Sequence, residues 1–278
     1  MALRCRLSVL LAAACLGVPA SAFAQSGGAS PPGPGDPCPA VYPGKGAERK
    51  TIALWMARAA ALRDVPEELQ VMAALAESGL RNLNRRGNPF AGFFSMHRSL
   101  NKGPYRGFAK NPDLQLRWFL DTAVIVRQRE IAEGAEEYAG DPTAYGLWIA
   151  DVERPAPENR DGYQPYLDDA GKLLDEPCRP SSFEPDEGAP PLKVAAASRQ
   201  RDVIVVKARC PREPCLVGAR AEPRRQVQAA PALASEGAAV TLTLPARARH
   251  SVRLVVTVTA VDEAGNATRK RKRITLLR

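Results

Sequence analysis

An acid closing an otherwise apolar helix is the position in this chain best suited to proton transfer. The run Pro66-Glu67-Glu68-Leu69-Gln70-Val71-Met72-Ala73-Ala74-Leu75-Ala76 sets proline at a first helical position and good helix formers after it, so Glu77 falls in the last turn. Leu69, Ala73 and Glu77 are spaced by four, which puts the carboxyl on the apolar stripe and away from the charged face of Glu67 and Glu68. Burial against apolar walls disfavours the carboxylate, and an acid that keeps its proton near neutral pH can deliver it to a glycosidic oxygen. Taken alone, the position also suits a partly exposed helix-end glutamate with no chemistry. Fifteen residues on, Gly92-Phe93-Phe94-Ser95-Met96 adds a glycine-aromatic turn, the kind of wall a carbohydrate cleft needs beside its acid.

Glu77-Ser78 followed by Gly92-Phe93-Phe94-Ser95-Met96 resembles the hallmark of the lysozyme-like superfamily, in particular the soluble lytic transglycosylases and goose-type lysozymes. In that group Glu-Ser at a helix end precedes a Gly-Leu-Met-Gln-like segment, and Ser95 stands where glutamine is usual. Over residues 72–174 the chain is similar to the lysozyme-like domain of secreted actinobacterial proteins, through Gly103-Pro104-Tyr105, Gln115-Leu116-Arg117-Trp118-Phe119 and Trp148-Ile149-Ala150-Asp151-Val152-Glu153-Arg154-Pro155. The resemblance implies cleavage of the β-1,4 bond between N-acetylmuramic acid and N-acetylglucosamine in peptidoglycan. Glu77 would act first as acid and then as base while the substrate's own 6-hydroxyl attacks the anomeric carbon, with no metal and no cofactor. It also implies Ser78, Ser95, Tyr105 and Tyr145 as substrate-binding positions. Tyr145, in Ala144-Tyr145-Gly146, is similar to an Ala-Tyr-Asn element whose tyrosine contacts the acid.

Glycosidases of the ordinary kind need two carboxylates, and three others here are candidates. Asp113 follows Asn-Pro as a helix-start acid, Asp121 lies mid-helix, and Glu153 beside Arg154 reads as an ion pair. Two rivals to an enzyme stay open: a catalytically weak or inactive wall-binding protein, suggested by Ser95, and an adhesive module led by the C-terminal part.

The elements that must position these residues fall into two expected domains. Residues 38–179 read as mainly helical, with helices over 47–64, 66–78, 111–134, 141–155 and 158–174 and a long loop over 83–110. Phe90, Phe93, Phe94, Tyr105 and Phe108 crowd that loop; Phe93 and Phe94 suit packing, and Tyr105 suits a cleft. Residues 180–191 form a proline-rich acidic linker. Residues 192–278 change to strand periodicity, with strands over 203–208, 216–221, 240–244 and 251–261 and a hairpin turn at Asp262-Glu263-Ala264-Gly265-Asn266. That pattern predicts an all-β sandwich of immunoglobulin-like type. Asn266-Ala267-Thr268 matches a glycosylation sequon, but the turn explains it more economically.

Residues 1–24 read as a secretory signal, with Arg4 and Arg6, an apolar core and Ala22-Phe23-Ala24 before the cut, and 25–37 as a flexible leader. Ala12, three residues before Cys15, argues against a lipid anchor. Past the signal, Cys38, Cys178, Cys210 and Cys215 remain, an even set for an oxidising compartment. Cys38 and Cys178 bracket the helical part and Cys210 and Cys215 are local, which favours those two pairs among three connectivities. No histidine adjoins them, which disfavours a metal site. The formal charge of +9 is uneven, since 192–278 hold 18 Lys and Arg against 6 Asp and Glu, a balance of +12. For an exported protein this basic part suits acidic wall polymers, or simple solubility, and nucleic acid is not an expected partner.

Overall fold

A computed structural model describes residues 38–278 except 136–139, 176, 180–183, 201–202, 223–226, 246–251 and 277–278. The signal and leader expected over 1–37, and part of the linker, lie outside the described residues. The helical part comes first: α1 (Arg49–Ala61), α2 (Leu69–Ser78), α3 (Pro112–Glu133), α4 (Tyr145–Glu153) and α5 (Leu167–Leu173). No described helix is long and apolar enough to cross a membrane.

α2 is apolar nearly all round, and that composition places it at the centre. Leu69, Val71, Met72, Ala73 and Ala74 are completely buried. Gly79, at φ 64°, ends the helix, and Leu80 N donates back to Ala74 O at 2.9 Å to close the last turn. α3 starts where Asn111-Pro112 predicts, with the Asn111 side chain accepting from Asp113 N and Leu114 N. Trp148 of α4 donates its indole N–H to Ala123 O of α3 at 3.0 Å, fixing how these two helices meet.

The expected long loop over 83–110 has structure of its own. Strands β1 (Phe90–Ala91) and β2 (Met96–His97) pair as a short hairpin, and 3-10 turns follow at Arg98–Leu100, Gly103–Tyr105 and Phe108–Lys110. Phe93, Phe94 and Phe108 leave solvent entirely, and Phe94 stacks on Phe119 at 4.7 Å. These rings are core. A turn that buries two adjacent aromatics is tied down by packing, which is why the segment is ordered although it lacks helical periodicity.

The C-terminal part contains β3 (Lys193–Gln200), β4 (Val203–Arg209), β5 (Cys215–Glu222), β6 (Val227–Ala234), β7 (Ala239–Pro245), β8 (Val252–Val261) and β9 (Ala267–Leu276). They make two antiparallel sheets, in order β3-β4-β7 and β6-β5-β8-β9. Ile204, Val206, Leu242 and Leu244 of the first meet Val217, Ala219, Val256 and Val258 of the second in one core. Sequence periodicity misses β3 and β6, which are alanine-rich. β6 also carries Pro231, tolerated because the strand lies at a sheet edge and its register shifts between Val217 and Ala219 of the partner strand.

The two parts pack against each other. β8 is buried on both faces: Val256, Val258 and Ala260 face the other sheet, while Thr257, Thr259 and Val261 are also buried, and Val261 belongs to the helical core. Gly218 of β5 lies under the end of α3, and a Cβ there would sit 2.5 Å from Ala132 O. The disulfides are Cys38–Cys178, bracketing the helical part, and Cys210–Cys215, closing the β4–β5 turn.

Gly218→Ala should therefore push the sheet off α3 and lower stability by about 1–3 kcal/mol, as overpacking does. Urea unfolding of both proteins measures it; an unchanged midpoint would mean the two parts do not meet at this point.

Candidate functional site

Glu77 sits in the last turn of α2, half-buried, as the spacing predicts. The Tyr163 hydroxyl donates to Glu77 Oε1 at 2.7 Å. Tyr163 is itself buried, and burial, followed by its bond to Glu77 and the nearby Glu77 and Glu153 carboxyls, holds its pKa well above the ordinary value. It remains a donor. With Oε1 accepting from Tyr163, Oε2 is the oxygen left to carry a transferable proton.

The second carboxyl of the site belongs to Glu153, the last residue of α4. The residue as a whole keeps some exposure, but its Oε1 is out of solvent's reach and has no hydrogen-bond partner. Burial, and then the charge of Glu77, push its pKa well above the carboxylate range. The expected ion pair with Arg154 does not form: Arg154 leaves the helix in a left-handed conformation at φ 53°. Burial and the neighbouring Glu77 thus favour the neutral form of Glu153. Tyr145, Ile149 and Glu153 are spaced by four, so the stripe that singles out Glu77 on α2 has a counterpart on α4.

The segment carrying Tyr163 is clamped to α4 from both sides. Gln164 Oε1 accepts from Gly146 N at 2.7 Å, and Gln164 Nε2 donates to Pro142 O at 3.1 Å. Arg160 pairs with Asp151 at 2.6 Å. Gly146 leaves the space Gln164 fills, since a Cβ there would meet Gln164 Cβ at 2.7 Å.

The turn between β1 and β2 closes over the end of α2. Gly92, at φ 91°, lies so near Gln115 that a Cβ would come within 2.6 Å of its side chain. Gln115 is fully buried and saturates itself here, accepting from Phe93 N at 3.0 Å and donating to Phe108 O at 2.9 Å and Asn82 Oδ1 at 3.2 Å. Ser95, also left-handed at φ 44°, donates its hydroxyl to the Glu77 backbone carbonyl at 3.3 Å.

The residues expected from the resemblance are therefore divided. Glu77 and Ser95 are brought together, though Ser95 touches the backbone of Glu77. Ser78 is buried, donating to Ala74 O at 2.9 Å and accepting from Arg81 N at 3.2 Å, so its hydroxyl serves the helix end. Tyr105 is elsewhere: it donates to Asp121 Oδ2 at 2.9 Å, and Asp121 also pairs with Arg63 and with Arg117. Burial, then Asp121, raises the Tyr105 pKa far above its ordinary value. Tyr145 is buried against Trp148, and its pKa is pushed up to about 12 by burial, with smaller effects from Glu68 and Asp141. The tyrosine on the acid is Tyr163, not Tyr145. Asp113 accepts from Tyr42 N at 3.3 Å.

No family model matches the chain, and no curated protein does. Among solved structures, the catalytically inactive OgpA of Akkermansia muciniphila, in complex with an O-glycopeptide (glycodrosocin) substrate, matches over 52% of this chain and 50% of its own, at 11% identity and a TM-score of 0.28. The match spans half of that chain, and a likeness this low informs neither fold nor site.

Glu153 gives stability a pH dependence of definite sign. Its folded pKa lies above the ordinary 4.5, so the folded protein keeps a proton that the unfolded chain has released. The associated stability is complete below the unfolded value and is lost as pH rises toward the folded one, at about 1.4 kcal/mol per pH unit. Glu153→Gln removes that loss. Urea unfolding across a pH series should show the variant gaining on wild type as pH rises above the ordinary carboxylate range; parallel profiles would contradict a buried neutral Glu153.

Proposed function

We propose that this chain is an exported enzyme that cleaves peptidoglycan glycan strands, with Glu77 as its acid and base. The observation that carries the reading is the Tyr163 bond to Glu77 Oε1, near a Glu153 carboxyl that burial favours in its neutral form. It gives one oxygen of Glu77 a fixed donor and frees the other for proton transfer. In the first step Oε2 passes its proton to the glycosidic oxygen as the bond to the anomeric carbon breaks. In the second, the Glu77 carboxylate takes the proton of the substrate's 6-hydroxyl as that oxygen bonds to the anomeric carbon, giving an anhydro end and restoring the acid. A water in place of the 6-hydroxyl gives hydrolysis with the same residue. Glu153, kept neutral, limits the site to one negative charge when Glu77 is ionised.

A lysozyme-like helical domain and an immunoglobulin-like sandwich form the architecture proposed with this function. Export fits the two disulfides. The basic strand β9, with Arg269, Lys270, Arg271, Lys272 and Arg273 all exposed at a sheet edge, suits a loose hold on acidic wall polymers. It also keeps that edge from pairing with other chains. Ser95 favours a second reading, a wall-binding protein of little or no turnover, because its hydroxyl serves the Glu77 carbonyl where the resemblance expects a glutamine for the sugar.

Incubation of purified protein with peptidoglycan sacculi separates the two. Wild type should release soluble muropeptides, and Glu77→Gln should lose at least about a hundredfold in rate, the scale of a missing general acid, while still sedimenting with sacculi at low salt. Release equal in both proteins would remove Glu77 from the chemistry, and no release from either would leave the binding reading.

A further inference from the structure

Away from Glu77, three carboxylates converge where the linker, the β4–β5 turn and the β8–β9 hairpin meet. Asp186, Glu213 and Asp262 each contribute one oxygen, and all three oxygens lie within 4.8 Å of one another. Each acid is held by a separate local constraint. Glu213 lies inside the short loop closed by Cys210–Cys215, whose sulfurs are buried. Asp186 is tied to the hairpin, its carbonyl accepting from Asn266 Nδ2 at 2.6 Å, and its Oδ1 accepts from Gly188 N at 2.9 Å. Asp262 is 97% removed from solvent, with 3% exposure; its Oδ1 accepts from Asn266 N at 2.8 Å.

The remaining oxygen of Asp262 is the decisive atom. Asp262 Oδ2 is buried and has no hydrogen-bond partner. The buried Arg127 guanidinium does not hydrogen-bond it. Arg127 is buried close enough to feel Asp262, but it gives its hydrogen bonds to the backbone carbonyls of Asp64, at 2.6 Å, and Glu263. A buried carboxyl that keeps one oxygen unpaired while grouped with two more carboxylates costs free energy unless a positive charge or a proton meets it.

We infer that Asp186, Glu213 and Asp262 form a Ca²⁺ site that clamps the linker to the sandwich hairpin. The donor set is oxygen alone, which selects a hard cation. Two ligands across a Ca²⁺ ion bonded at about 2.4 Å stand about 4.8 Å apart, so these oxygens can share one ion without rearrangement. Mg²⁺ demands a smaller, near-octahedral shell and gives up water reluctantly, so irregular loop-borne ligands suit Ca²⁺ better. Water would complete the shell. The ion would also reach the helical part indirectly: the same hairpin receives Arg127 of α3 at Glu263 O. The site is structural and takes no part in the cleavage proposed for Glu77.

Calorimetric titration of the chelator-stripped full chain with CaCl₂, paired with thermal unfolding in Ca²⁺ and in EGTA, tests the site without reference to glycan cleavage. One ion per chain should bind with a Kd of about 10⁻⁴–10⁻³ M, as in other extracellular Ca²⁺ modules, and should raise the unfolding temperature. Glu213→Gln and Asp262→Asn should each weaken binding at least tenfold and remove the thermal shift. Glu213→Gln, at a partly exposed turn, keeps the test valid if Asp262→Asn fails to fold. No binding by wild type up to about 10 mM Ca²⁺, well above that range, would overturn the site; undiminished binding by Glu213→Gln would place the ion elsewhere.

Discussion

Two carboxyl groups brought into one low-dielectric corner cannot both be anions at modest cost, and that constraint organises the helical part. At Glu153, burial and then the charge of Glu77 favour the protonated form. Tyr163 meets it by remaining a hydroxyl donor, since ionising it would add a further negative charge. Glu77 then accepts from Tyr163 through one oxygen and keeps the other for exchange. For Glu153 and Tyr163 alike, burial comes first and the nearby Glu77 carboxyl adds to it.

Most of the surrounding structure holds that trio in register. The α2 terminus is set by Gly79 and by the Ser78 hydroxyl turning inward, so Glu77 emerges at a defined point. Gln164 and Arg160 fasten the Tyr163 segment to α4, the helix that ends in Glu153. On the other side Gln115 presses the Gly92–Phe93 turn into place, and Ser95 ties that turn to the Glu77 carbonyl. Ser78 and Gln115 are buried polar groups that would be costly if unpaired, and the other ties are half-buried, so the geometry is enforced by hydrogen bonds as well as packing.

The sequence made Glu77 legible because an acid at four-residue spacing from Leu69 and Ala73 is visible in one dimension. The same rule applied to Tyr145, Ile149 and Glu153 would have found the second acid, but the adjacent Arg154 suggested a local ion pair and masked it. Arg154 turns away because the helix ends there in a left-handed residue, a backbone fact that composition does not carry. Tyr163 was not legible: it lies 86 residues from Glu77, at a bend between two short 3-10 turns whose Gly and Pro residues give no periodic signal. Helix starts at Asn111-Pro112 and the two cysteine pairs were readable from local chemistry, whereas β3 and β6 were hidden by alanine. The linker reads as a free tether by its proline content, yet the parts it joins share buried surface, because β5 and β8 turn their outer faces to α3.

The protonation of Glu153 is the premise on which the site depends, and infrared spectroscopy observes it directly. In wild type at neutral pH a protonated carboxyl stretch should be present that resists exchange of the bulk solvent and disappears in Glu153→Gln. No such band in wild type, or a band that survives unchanged in Glu153→Gln, would mean that Glu153 is ionised or irrelevant and that Glu77 does not sit beside a neutral acid.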